Sequence, residues 1–384
     1  QQGGKAEKQS VPMRKLGKTG AEIACLGLGT NRFYENNQIL LRKAYEYGIT
    51  YWDTCPVYGG DTAERGIGEF ISKKPAARSK LFIATKATSA RQVSDYENLL
   101  RQSLSRMNTQ YIDLYLGHEF YHPAQFKEDL RKWVLNARER KLIRFFGIST
   151  HKNMTNCLNA VSRLDWVDVV MASFNFRLMQ DNGLQKAVDA CFQAGKGIIA
   201  MKTQGHGVQE AEKTLKGRQS ISTAEDKRLI EHLLNEGYTE GQAKLKLVLD
   251  DQRISSACVG VTNVSIMSSN VSAVLDKKKL SQRNKDAFAE YAQAGCSGYC
   301  AGCAEICDSV LGMPYVSDVM RYLMYYKSYG DKKMAMELYS RIPRPIRESF
   351  CGIDYSKAEE ACPQGLPIAK LMAEAVQKLN FVTA

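Results

Sequence analysis

The chain has 384 residues, 44% hydrophobic and 24% charged, which is enough for one large globular domain and a smaller one. It contains no run of about eighteen apolar residues, so hydropathy identifies no transmembrane helix. The formal charge of +12 comes from scattered Lys and Arg without interleaved aromatics, which argues against a nucleic-acid groove but would attract an anionic ligand such as a dinucleotide.

Residues 1–12, QQGGKAEKQSVP, are polar and read as a disordered segment. The expected location is the cytoplasm; the alternative is export after folding, with a leader removed ahead of Gln1. From residue 13 the chain reads as a hairpin turning at Lys18-Thr19-Gly20, then a first strand near Cys25 to Gly29. Helical periodicity over 37–48 precedes the strand ITYWDT, and a helix over 61–72 precedes KLFIATK. The same alternation continues with helix 94–107 and YIDLYLGH, helix 126–140 and FFGIST, helix 153–164 and VDVVMASF, and helix 184–194 and GIIAMKT. A longer helical stretch to about 250 precedes SSACVGV, and helix 264–275 ends the series. Short apolar strands alternating with helices imply parallel pairing through right-handed crossovers. Eight such units at this length predict a (β/α)8 TIM barrel with an N-terminal hairpin.

In such a barrel the chemistry gathers where strands give way to the following loops. Asp53, Lys86 and His118 stand at the carboxyl ends of the second, third and fourth predicted strands, and Tyr58 lies in the loop after the second. Each alone has a bland reading as a turn acid, a surface cation or a satisfied polar group, but together they converge over one mouth. A phenol titrates near 10, and a neighbouring ammonium is expected to lower that value. Asp53 would hold Lys86 charged, and His118 would orient a carbonyl oxygen. This set fits proton donation to a developing alkoxide, with the hydride left to a cofactor.

The motifs GLGT, WDTCPVYGGDTAERGIGEFI, IATKA, IDLYLGH and FFGIST, in this order over roughly residues 13–275, resemble those of the aldo-keto reductase superfamily. The resemblance implies NAD(P)H-dependent reduction of an aldehyde or ketone, or oxidation of the alcohol. It places the catalytic tetrad on Asp53, Tyr58, Lys86 and His118, with Tyr58 as general acid. It also implies cofactor contacts at Gly29, Thr30, Asp53, Ser149, Thr150, Asn175, Met201, Lys202, Gly260, Thr262 and Asn270. The family's strand-six Gln falls on Met171, its ring-stacking Tyr on Met201, and the Arg that often holds a 2′-phosphate on Ile266. NADP(H) is expected on the family's habit and the positive charge, and with Ile266 at that position only a weak preference over NAD(H) is expected.

Of eleven cysteines, Cys25, Cys55, Cys157, Cys191 and Cys258 look like small buried hydrophobes, and the other six lie in the tail. The segments CSGYCAGCAEIC, from Cys296, and CGIDYSKAEEAC, from Cys351, form a repeat in one register. The first has cysteines at all four positions, whereas the second carries Tyr355 and Ala358 at the middle two. If three cysteines of one run bind one cluster and the fourth serves the other, Cys296, Cys300, Cys303 and Cys362 form a complete set for one [4Fe–4S] cluster. Cys307 and Cys351 would then be left as half a set. A four-thiolate zinc site and a vestigial module are the alternatives. The tail resembles the ferredoxin-like extension of an iron–sulfur branch of the same superfamily. The expected division is residues 13–280 for the barrel and 281–384 for a helical iron–sulfur domain. Tyr322, Tyr325, Tyr326 and Tyr329 lie between the repeats at helical spacing and read as a packing face against the barrel.

The partner expected from this reading is a small-molecule carbonyl or alcohol substrate. A dinucleotide-binding sensor without turnover, or a redox protein passing electrons from nicotinamide through the cluster to a partner, are the competing functions.

Overall fold

The structure, a computed structural model, describes residues 10–31, 37–204, 224–294, 300, 302, 304–327, 332–362 and 365–380. Strands β1 (Met13–Lys15) and β2 (Glu22–Ala24) form an antiparallel hairpin. The barrel strands follow: β3 (Leu26–Gly29), β4 (Tyr51–Asp53), β5 (Phe82–Ala87), β6 (Ile112–Gly117), β7 (Ile143–Thr150), β8 (Val169–Ser173), β9 (Gly197–Met201) and β10 (Ser256–Gly260). All eight pair in parallel, and β10 closes on β3, so the predicted TIM barrel is the observed fold. β5 and β6 are buried along their whole length, which is why their sequences are near-continuous apolar runs.

The hairpin covers the end of the barrel where the strands begin. Gly17 makes this possible: its φ is +56° and a Cβ there would lie 2.3 Å from the Gly195 carbonyl oxygen, so no larger side chain fits. Val11, expected in the disordered segment, is instead buried and donates its N–H to Tyr47 O. The helices that cross between strands fall close to their predicted spans. The exception is the stretch before β10, where Ala224–Asn235 and Glu240–Asp250 are separate helices, with Gly237 at positive φ between them.

After the barrel the described chain is helical: Gln282–Ala294, Ala304–Leu311, Val316–Lys327, Lys332–Ser340, Arg344–Ser349, Ser356–Ala361 and Ile368–Leu379. The last buries Ile368, Leu371, Met372, Ala375 and Leu379, one apolar stripe of the kind that holds a helix by packing. Each large side chain in it contributes about 1.5–3 kcal/mol when fully buried. One continuous core runs from barrel residues such as Phe146 into Val319, Leu323 and Met372 of this tail. The tail is fastened where the barrel strands end: Gly302 O accepts from Asn153 N, Arg321 donates to His151 O, and Lys152 pairs with Asp318. Among the described residues no helix is long and apolar enough to cross a membrane.

Candidate active site

The register of three neighbouring strands builds the first part of the site. Asp53 pairs with Gly29 on one side and Ala84 on the other. Ala84 and Lys86 share a strand face, because side chains alternate with a period of two. The Lys86 Nζ therefore reaches back to Asp53 Oδ1, at 2.6 Å, and also donates to Thr54 O at 2.7 Å. Both side chains are almost fully buried. Tyr58 opens a short 3-10 turn after β4, and its ring centroid lies 5.0 Å from Lys86 Nζ. His118 follows β6, and its Nδ1 is 2.8 Å from Thr88 Oγ1, which lies 2.8 Å from Cys55 Sγ.

The electrostatics differ from the sequence expectation at one point. Burial opposes the Lys86 charge, but Asp53, Tyr58 and Cys55 outweigh it and hold the ammonium charged. Burial pushes the Asp53 carboxyl up and Lys86 pulls it back. The Tyr58 phenol is pushed up as well: burial exceeds the downward pull of Lys86, so the expected lowering does not occur. The Asp53 carboxylate paired with that ammonium also raises the phenol and offsets part of the lysine's pull. Burial, then Lys86, lowers the His118 imidazole to about 3, so the ring is neutral at physiological pH.

Sequence reasoning missed three participants. Thr88 lies in the turn just after β5, two residues beyond Lys86, and this offset, which would share Lys86's face if the strand ran on, is the one signal that pointed to it. Cys55, read as a small hydrophobe, is buried but has its sulfur in a polar chain to His118. His151, just after β7, holds Ser173 Oγ at 3.1 Å from its Nδ1. Burial, then Lys202, Arg321, His118 and Lys86 in turn, oppose its charge, so it lies between the tetrad and the tail.

The residues expected to hold a cofactor are distributed around the same rim. Gly29 and Gly260 are paired across β3 and β10, and Thr30 Oγ1 donates to Asp53 O. Ser149 Oγ accepts from Glu119 N, and Thr150 Oγ1 donates to Lys152 O. Met171 and Asn175 are buried, and Asn175 Oδ1 accepts from the N–H groups of Arg177 and Leu178. Met201 ends β9, and Lys202 is turned toward Tyr325. Thr262 is exposed just before helix Val264–Leu275, which is capped by Asn263 accepting from Ile266 N. Asn270 accepts from Gln204 through Oδ1, while its buried Nδ2 has no partner among the described residues. A helix N-terminus and an orphaned amide beyond the last strand fit the phosphate-bearing half of a nicotinamide dinucleotide.

Of the four expected cluster ligands, Cys296 and Cys303 lie outside the described residues. Cys300 is buried and Cys362 half-buried, and their sulfurs accept backbone N–H groups from Gly302 and Leu366. Cys362 raises the Cys300 thiol, so the two are neighbours across the repeat. Cys307, assigned by sequence to a half-set with Cys351, lies with them instead. Burial, then Cys300 and Cys362, push its thiol up to about 12. Cys351 is exposed and stands by Tyr339 and Tyr355. Among the described residues no three His, Cys, Asp or Glu side chains are arranged to hold a metal. Of the four tyrosines between the repeats, Tyr329 is outside the described residues and Tyr325 makes hydrogen bonds as well as packing contacts.

The family model of the Aldo/keto reductase family matches residues 25–289. This chain belongs to that family. As an aldo/keto reductase it is an NAD(P)-dependent oxidoreductase. L-galactose dehydrogenase of Arabidopsis thaliana is 24% identical over 290 residues, 70% of this chain and 90% of that protein. L-glyceraldehyde 3-phosphate reductase of Escherichia coli O157:H7 is 26% identical over 304 residues, covering 68% and 87%. Among solved structures, aldo-keto reductase AKR11C1 from Bacillus halodurans superposes with a TM-score of 0.61 at 17% identity, covering 73% of this chain and 96% of that one. The thermostable aldo-keto reductase Tm1743 gives 0.58 at 25% identity, covering 73% and 99%. The family match ends at residue 289, before the cysteine repeats begin.

Proposed function

We propose that this aldo/keto reductase reduces an aldehyde or ketone, and oxidises the alcohol in reverse, with Tyr58 as proton donor. The observation that carries this reading is the buried Lys86–Asp53 ion pair against the Tyr58 ring. It keeps one fixed cation beneath the phenol, ready to stabilise the phenolate left after donation. The raised phenol keeps its proton at neutral pH until a developing alkoxide claims it. His118 is neutral, and Thr88 engages its Nδ1. With Thr88 as the donor to Nδ1, Nε2 carries the hydrogen and donates to the carbonyl oxygen. NAD(P)H, held by Gly260, Thr262 and Asn270 on its phosphate side, supplies the hydride when bound. Ile266 offers no charge to a 2′-phosphate, so discrimination between NADPH and NADH is expected to be weak. Tyr58→Phe should lower kcat by about 10² or more on any carbonyl the wild type reduces, with nucleotide binding retained in a fluorescence titration. A normal rate from this variant would remove Tyr58 from the proton-donor role.

We further propose that Cys296, Cys300, Cys303 and Cys362 hold one [4Fe–4S] cluster as a staple for the tail. The cysteine repeat and the proximity of Cys300 and Cys362 support this. Anaerobically purified protein should carry about four irons and matching sulfide per chain. Cys362→Ser should lose them and Cys351→Ser should keep them. The reverse pattern would sink the ligand assignment, and zinc in place of iron would favour the four-thiolate alternative.

A further inference from the structure

Cys55 is fully buried in the loop that carries Tyr58, and it is tied into the site through both its backbone and its sulfur. Its carbonyl oxygen accepts the Tyr58 N–H at 3.0 Å, where the turn that presents the phenol begins. Its sulfur accepts the Val57 backbone N–H and stands 2.8 Å from Thr88 Oγ1. Thr88 Oγ1 in turn lies 2.8 Å from His118 Nδ1, while the direct distance from the sulfur to that nitrogen is 3.9 Å. Cys55, Thr88 and His118 therefore form a chain with the hydroxyl in the middle. They follow β4, β5 and β6, three neighbouring strands whose register sets the spacing.

The number of hydrogens decides which way this chain runs. Burial pushes the Cys55 thiol up, so it keeps its S–H at neutral pH. Thr88 brings one O–H, and the neutral His118 ring brings one N–H. The bonds can run from sulfur to hydroxyl to Nδ1, or from Nδ1 to hydroxyl to sulfur. In the second arrangement the sulfur, a weak acceptor, takes the Thr88 hydrogen as well as the Val57 hydrogen. The buried S–H then has no acceptor among the described residues, since Thr88 and His118 are its only other neighbours of that kind. In the first arrangement every hydrogen meets an acceptor, and the Thr88 hydroxyl donates to an imidazole nitrogen instead of to sulfur. Bonds in series also polarise one another, so the thiol strengthens the donation by Thr88. A hydroxyl alone is both donor and acceptor and does not choose between the imidazole tautomers; the thiol behind it does.

We propose that Cys55 is a positioning residue: its thiol commits the Thr88 hydroxyl to donation, which fixes the His118 tautomer that presents Nε2–H to the substrate carbonyl. The proposal rests on the carbonyl-reductase reading above, in which that hydrogen meets the carbonyl oxygen. The Cys55 carbonyl also holds the Tyr58 N–H, so one residue keeps the proton donor and the orienting imidazole in register.

The test reads the His118 ring nitrogens by NMR in protein isotopically labelled at histidine, with the signals assigned by their loss in His118→Asn. At neutral pH the wild type should show a bare Nδ1 and a protonated Nε2. Cys55→Ala should move both signals toward the average of the two tautomers. Cys55→Ser returns a donor to the same place and should restore the wild-type pattern. Rates should follow the spectra: Cys55→Ala should lower kcat by about 3- to 10-fold, the effect of one hydrogen bond, and Cys55→Ser should regain most of it. Because Cys55 acts through Thr88, adding Cys55→Ala to Thr88→Val should cost no further rate. Cys55→Val, which also lacks a donor, serves where the alanine variant does not fold. A wild type protonated on Nδ1, a tautomer or rate unmoved by loss of the thiol, or additive losses in the double variant would overturn the role. The spectra need no substrate, so their failure sinks the positioning role alone. Spectra as expected, with no Tyr58-dependent turnover of any carbonyl, would sink the reading on which it rests instead.

Discussion

Two tyrosines at the barrel mouth each have a lysine beside the ring, yet their phenols move in opposite directions. Tyr58, on the side built by β4, β5 and β6, is pushed up, while Tyr325, delivered by the tail to the side of β7 and β9, is brought down to about 7. The difference lies in what else each cation touches. Lys86 gives its short hydrogen bonds to Asp53 and Thr54 O and meets Tyr58 through the ring. Lys202 and Arg321 both reach the Tyr325 oxygen itself. Proximity of a lysine therefore does not set a phenol's acidity. The remaining partners of that lysine, and whether it bonds the oxygen directly, decide it.

The largest effect should come from removing the cation that Asp53 needs. Lys86→Met leaves a buried carboxylate stripped of its ion pair, which typically costs about 3–5 kcal/mol. Chemical denaturation should show that loss, and pairing the change with Asp53→Asn should recover much of it. If the single variant is as stable as wild type, the Lys86–Asp53 pair is not the buried element on which the Tyr58 side of the comparison depends.

A smaller effect tests the alignment of His118. Thr88→Val keeps the shape and removes the hydroxyl that holds Nδ1, so kcat should fall by about 10-fold, the value of one oriented hydrogen bond. Thr88→Ser should restore it, because the hydroxyl returns without the methyl. A rate unchanged in Thr88→Val would mean that His118 keeps its orientation without Thr88.

The sequence made one side of this comparison legible and hid most of the other. Asp53, Lys86 and His118 stand at strand ends, and strand ends follow from local periodicity, so the alternation of strands and helices alone implies their convergence. Thr88 carried a faint signal through its two-residue offset from Lys86. Arg321 and Tyr325 show the offset of one helical turn, which reveals that they meet each other. It cannot reveal that they meet Lys202, because that contact depends on how a helix more than a hundred residues downstream docks on the rim. The same limit explains Cys307. Repeat register grouped it with Cys351, but the packing of helices Ala304–Leu311 and Ser356–Ala361 decided its neighbours. Val11 was misplaced for a related reason, since a polar flank conceals one apolar residue that finds a pocket.

The smallest expected effect isolates the Tyr325 side. A phenol held near 7 in the folded chain and near 10 when unfolded binds fewer protons folded than unfolded between those values. Stability should therefore rise with pH from about 7 to about 10. The contribution is absent below the lower value and complete above the upper one. Comparing wild type with Tyr325→Phe in denaturant melts across this range subtracts the background from other groups, and only the wild type should show the extra upward slope. Near-ultraviolet difference absorbance should show one tyrosinate forming near neutral pH, present in Tyr58→Phe and missing in Tyr325→Phe. Arg321→Gln should push that titration toward the ordinary phenol value, because the guanidinium lowers this phenol more than Lys202 does. A tyrosinate that persists near neutrality in Tyr325→Phe would assign the titration to another residue and erase the contrast between the two phenols.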